Sequence, residues 1–162
     1  MDAGKIKAVA DFCGIRGLTL IELIITMAVI SILAAGIMPL AQTTYKRTRE
    51  LELKRNLRII RTALDEYKSL SDEGEIPKDA LSNGYPATLE ELVEGVELIG
   101  QVNRKKKILR RIPKAPFSQD GNWGLRSYSD EPDSDTWGGQ DVYDIYSLSE
   151  KQALDGTWYR DW

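Results

Sequence analysis

Histidine is absent from the 162 residues, and cysteine occurs once, at Cys13. Without histidine the chain lacks the commonest general base and the commonest transition-metal ligand. A lone cysteine excludes an internal disulfide and a thiolate cluster for a metal. An enzyme built here would need a carboxylate pair or a Ser-Lys dyad, and no spacing singles one out. Charge is missing from one stretch, since Glu22 is the only ionisable side chain between Leu18 and Ala41. Acid is missing from another, where Arg104, Lys105, Lys106, Lys107, Arg110, Arg111 and Lys114 follow one another. Glycine and proline are missing between Leu40 and Leu70, so nothing there breaks a helix. No internal repeat and no low-complexity tract is present.

The stretch without charge is long enough to matter. About 20 residues rising 1.5 Å each cross a hydrocarbon layer roughly 30 Å thick, so Leu18 to Ala41 is a candidate membrane helix. A carboxylate costs about 2.5–3.5 kcal/mol at the centre of such a helix, and Glu22 therefore asks for a reason. In one reading it lies close enough to Leu18 to reach the interface or stay protonated. In the other it pairs with a positive charge carried by another chain. A cut after Gly17 would create such a charge, the amino group of Leu18. An ordinary secretory signal does not fit, because its apolar region precedes the cleavage site and here it follows. The flanking charges, Lys5, Lys7 and Arg16 against Lys46, Arg47, Arg49, Lys54 and Arg55, would by themselves put the C-terminal side in the cytoplasm.

Gly17-Leu18-Thr19-Leu20-Ile21-Glu22, with Pro39 near the end of the run, resembles the class III leader and N-terminal helix of type IV pilins and type II secretion pseudopilins. The resemblance implies removal of residues 1–17 by a prepilin peptidase on the cytoplasmic face, then methylation of the Leu18 amine. It implies that Glu22 neutralises a neighbour's amino terminus during filament assembly, and that Pro39 with Gly36 permits bending. Leu18 stands where the family usually has Phe or Met. Tyr85-Pro86-Ala87-Thr88, Trp137-Gly138, Asp144-Ile145-Tyr146-Ser147-Leu148 and Asp161-Trp162 resemble segments of the major pseudopilins, which generally lack the C-terminal disulfide of many pilins. The implied protein is a structural subunit and not an enzyme, single-pass in the inner membrane with its C-terminal domain in the periplasm. Its implied partners are further copies in a helical filament, minor pseudopilins, the inner-membrane assembly platform and a secretin channel. A type IV pilus or DNA-uptake pilin is the alternative, and a membrane-anchored binding module or enzyme is the alternative of another class.

The expected organisation is a leader over 1–17, a membrane and assembly helix over 18–41, its amphipathic continuation over 42–70 and an α/β region over 71–162. Leu53, Leu57, Ile60, Leu64 and Tyr67 recur every three or four residues, which predicts one helix face packed on a domain, with Lys46, Arg49, Glu52, Arg55 and Glu66 opposite. Asp72-Glu73-Gly74, Pro77 and Asn83-Gly84 mark Ser71 to Ala87 as a loop. Thr88 and Glu91 have capping-box spacing before a short helix ending at Gly95. Trp123 to Ser129 and Val142 to Ser149 read as strands, joined by a loop over Ser129 to Gln140. The fold class is α+β, a long N-terminal helix packed on a small antiparallel sheet.

Residues 115–162 carry ten acids and three bases, in contrast to the basic run before them. That asymmetry suits attraction between copies, acidic loops of one meeting basic surface of the next. A solvated face or contact with a membrane surface is the plainer reading. No aromatic platform is interleaved with the basic run, and nucleic-acid binding is not expected. Asp133-x-Asp135 with Gly138 imitates part of an EF-hand, but Trp137 takes a ligand position and no helices flank it. The resemblance implies a different structural Ca²⁺ site. The family's Gly-x-Asp-Gly acid is replaced by Ser149-Glu150-Lys151-Gln152, leaving Leu148, Asp155 and Asp161 as its candidate ligands. No other cofactor is implied.

Overall fold

Helix α1, Leu20–Asp72, dominates the computed structural model, which describes residues 17–78, 82–100 and 105–162. The expected leader, except Gly17, and Arg104 of the basic run lie outside the described residues. By its internal contacts the chain forms two units, Met1–Gln42 and Thr43–Trp162. The helix is assigned without interruption through Gly36 and Pro39, although proline brings no N–H to the ladder. It starts two residues after Leu18 because Thr19 caps it, and it ends in a Schellman motif. There Glu75 N–H donates to the Leu70 carbonyl (2.9 Å) and Gly74 N–H to that of Ser71 (3.2 Å). Gly74 takes φ +73°, which a side chain would strain.

In the second unit the predicted stripe is the core. Leu53, Leu57, Ile60 and Leu64 are buried, and Tyr67 packs at their edge. They meet Leu89, Leu92, Trp123, Val142, Ile145 and Tyr159, so the stripe seats a domain. Burial of each such side chain stabilises by about 1.5–3 kcal/mol. Arg49 departs from the expected outer face. It is half-buried, its guanidinium donates to the Pro116 carbonyl, and it lies 5.6 Å from the Phe117 ring centroid.

Two small antiparallel ribbons follow. The first pairs β1, Val96–Glu97, with β2, Lys105–Lys106. Nothing in a Lys-Lys pair signals a strand, and tertiary contacts make it one: Ile108 and Leu109 N–H groups both donate to the Leu92 carbonyl, and Lys106 pairs with Glu66 at 3.2 Å. The second ribbon pairs β3, Trp123–Arg126, with β4, Asp144–Ser147. These are the two expected strands, each shorter than the apolar run that announced it. Gly124 faces Tyr146 across the pair, and a Cβ there would lie 2.3 Å from the ring, so only glycine admits that tyrosine. Helix α2 spans only Glu91–Glu94, and no side chain caps it, so the Thr88–Glu91 capping box does not form. Glu91 is engaged instead by Tyr67, whose hydroxyl donates to it at 3.3 Å.

The expected loop over Ser129 to Gln140 is ordered by its own carboxylates. Asp130 accepts N–H bonds from Ser127 (2.7 Å) and Gly138 (3.0 Å), which hold its carboxyl below the usual range. Asp141, buried, accepts from Tyr128 N–H (2.9 Å) and the Asn83 amide (3.0 Å).

Candidate assembly site

The described part of the first unit, Gly17 to Gln42, is an apolar helix with its hydrophobic side chains in the open. Leu18, Leu20, Ile21, Ile24, Ile32 and Ile37 are all more than half exposed. It is long and apolar enough to cross a membrane by length and composition. Its hydroxyls turn inward, as an apolar phase demands: Thr26 donates to the Leu23 carbonyl at 2.9 Å and Ser31 to that of Met27 at 2.8 Å.

The start of this helix is built by Thr19. Its carbonyl accepts the Leu23 N–H at 3.1 Å and its hydroxyl accepts the Glu22 N–H at 3.3 Å, satisfying one of the orphan donors of a helix N-terminus. Gly17 and Leu18, the expected cleavage pair, precede the cap in exposed, non-helical conformation. Thr19-x-x-Glu22 is capping-box spacing, a signal present in the sequence but overshadowed by the other role assigned to Glu22. Only half of the box forms, because the Glu22 carboxylate makes no hydrogen bond or ion pair among the described residues.

An acid in the first turn gains about 0.3–1 kcal/mol from the helix dipole. That is less than the roughly 2.5–3.5 kcal/mol that a carboxylate costs at the centre of a membrane helix. The cap and the dipole offset part of the cost of taking Glu22 into an apolar surrounding.

Residues 14–38 match the prokaryotic N-terminal methylation motif. The N-terminal segment is thus of the prepilin type, a motif that implies a prepilin-peptidase substrate and pilus-type oligomerisation and points to a structural subunit. Gly17, Leu18 and Glu22 fall inside the matched residues, and Pro39 falls one residue beyond them. No curated protein matches the chain, and no solved structure does.

The residues expected to hold calcium belong to the second unit. Leu148 follows β4 and is half exposed. The Asp155 carboxylate accepts both the Thr157 hydroxyl (2.6 Å) and the Thr157 N–H (3.0 Å), and these two bonds lower its pKa. Asp161, in a 3₁₀ turn over Tyr159–Asp161, lies 4.0 Å from the Arg160 guanidinium. Asp144 of the matched strand is engaged by Arg61, with bonds of 2.7 and 3.1 Å. Among the described residues no group of three or more His, Cys, Asp or Glu side chains is gathered as a metal site.

Two residues that fix the C-terminal segment carried no motif. Glu50, buried on α1, accepts the Tyr159 hydroxyl and the Leu154 N–H, both at 2.8 Å. Arg61 adds bonds to the carbonyls of Ile145 (3.2 Å) and Trp162 (2.9 Å). Their partners lie more than 80 residues away along the chain, and only the closed fold brings them together.

Proposed function

We propose that the chain is a structural subunit of a type II secretion pseudopilus. A prepilin peptidase cuts between Gly17 and Leu18, and the new Leu18 amine is methylated. The helix from Leu18 to Ala41 holds the subunit in the inner membrane, with the domain in the periplasm. Filament growth then draws helices out of the bilayer into a bundle, and Glu22 of an entering copy pairs with the Leu18 amine of a copy already in place. Pro39, which removes one rung from the helix ladder, gives the rod a point at which to bend. The assembly platform, minor pseudopilins and secretin act around this filament, whose extension drives exoproteins outward.

The observation that carries this reading is the Glu22 carboxylate, the one charge on an exposed apolar helix, left without a donor among the described residues. The segments resembling major pseudopilins, and a single cysteine ahead of the cleavage pair, favour a secretion pseudopilus over a surface pilus.

Replacing Glu22 by leucine tests it. The expected result is normal removal of the leader, N-methyl-leucine at the new terminus by mass spectrometry, and loss of filaments. Filaments that form as usual from a correctly processed Glu22→Leu chain would refute the role given to the carboxylate. An amino terminus still at Met1 in the purified protein would refute the processing.

A further inference from the structure

The second unit carries an open groove of about 650 Å³ between the Glu52–Ile59 face of α1 and the segment 109–114. Its floor is apolar, with Ile59 and Ile112, and its rim is basic, with Arg55, Arg110, Arg111 and Lys114. Two bonds hold the segment in place. The buried Asn56 amide donates to the Lys114 carbonyl at 3.0 Å, and Trp123 Nε1 donates to that of Pro113 at 2.7 Å. The backbone is thereby turned toward the core while the Arg110, Arg111 and Lys114 side chains are exposed. None of the four rim cations makes an ion pair among the described residues, and the only acid lining the groove is Glu52.

The same domain presents a feature of opposite charge. Ser134 N–H donates to the Glu131 carbonyl at 3.0 Å, closing a turn with Pro132 at its first corner. Arg126 fixes the turn by donating to the Ser134 carbonyl at 3.1 Å, and Arg160 fixes its far side through Asp135. Glu131 and Asp133 stand exposed at the tip without an ion-pair partner among the described residues. A tip held in one conformation before contact loses little entropy on docking.

We infer that the groove between α1 and residues 109–114 receives the Glu131-Pro132-Asp133 turn of a second copy of this chain. The two carboxylates meet the Arg110, Arg111 and Lys114 rim, and Pro132 lies over the apolar floor. The turn is tied into its own domain by Arg126 and Arg160, so the groove is filled from a neighbour. Groove and turn are different surfaces, which makes the contact head-to-tail. Such a contact repeats from copy to copy and generates a filament or a ring, where a self-complementary patch would stop at a dimer. The inference rests on the filament reading above and adds the periplasmic contact to the membrane one. Opposite charges across it set register and speed encounter, and salt weakens it.

The test is charge reversal in the full-length chain expressed in cells. Arg110→Glu with Arg111→Glu, and separately Glu131→Lys with Asp133→Lys, are each expected to lower the assembled fraction about tenfold or more, because like charges then face each other. The chain carrying all four changes is expected to assemble again. In a Cys13→Ser background, co-expressed Arg111→Cys and Asp133→Cys chains are expected to form a disulfide between copies. Thermal unfolding of each variant checks that these exposed changes leave the domain folded. Variants that assemble like the wild type, with no disulfide, would overturn this contact and leave the filament reading standing. Loss of binding to anionic phospholipid vesicles in the Arg110→Glu, Arg111→Glu chain, with assembly intact, would overturn it too and give the groove to lipid. A processed wild-type chain that never assembles would remove the filament reading and this contact together.

Discussion

Glu50→Ala cuts a buried tie between α1 and the C-terminal segment. Glu50 accepts two hydrogen bonds, from Tyr159 and from Leu154, and hydrogen bonds to a charged group contribute about 1.5–3 kcal/mol each. The two donors differ in what happens when the carboxylate leaves. Leu154 is half exposed, and its N–H can turn to water. Tyr159 is fully buried, stacked on Phe117 with centroids 4.1 Å apart, and its hydroxyl is stranded at a cost of about 1–3 kcal/mol. The expected loss of stability is therefore about 2–4 kcal/mol, at the upper end of ordinary point changes. Glu50→Gln keeps an acceptor oxygen and is expected to lose about 1–2 kcal/mol. Tyr159→Phe removes the stranded donor, so the double change Glu50→Ala, Tyr159→Phe costs less than the sum of the two singles by about 0.5–3 kcal/mol. Denaturant midpoints at constant slope, followed by tyrosine and tryptophan fluorescence, measure all four chains. A Glu50→Ala chain within about 0.5 kcal/mol of the wild type, or strictly additive single changes, would refute the account.

Two further outcomes are expected. Burial and the Glu91 carboxylate push the Tyr67 phenol up to about 12, and burial with Glu50 raises Tyr159 as well. A tyrosine whose pKa is raised on folding binds its proton more tightly folded than unfolded. Stability is therefore complete below pH 10 and falls as pH rises from there through the folded values, and Glu91→Gln is expected to bring the Tyr67 titration down in an absorbance titration of tyrosinate. Calcium against chelator is expected to leave the melting temperature unchanged, because among the described residues no three acidic side chains are gathered for a cation. A rise on adding calcium that vanishes in Asp155→Asn would instead give Leu148, Asp155 and Asp161 the ion that the resemblance implies.

The sequence by itself determined the features written in neighbouring residues. A continuous helix from near Leu18 to near Leu70, its apolar first part and the stripe from Leu53 to Tyr67 follow from period and from the missing breakers, because helix bonds join residues four apart. The prepilin-type motif over residues 14–38 was legible for the same reason, as a pattern of adjacent residues. Tertiary structure alone decided what depends on distant partners. Lys105 and Lys106 form a strand because Val96 and Glu97 pair with them and Glu66 binds Lys106, and Thr88 caps nothing because α2 starts only at Glu91, with Glu90 in the cap position. Arg49 turns inward to Pro116 and Phe117, while Glu50 and Arg61 clasp residues that local pattern cannot reach. Glu22 shows both sides at once: its spacing from Thr19 sets the cap, whereas its carboxylate finds no donor among the described residues.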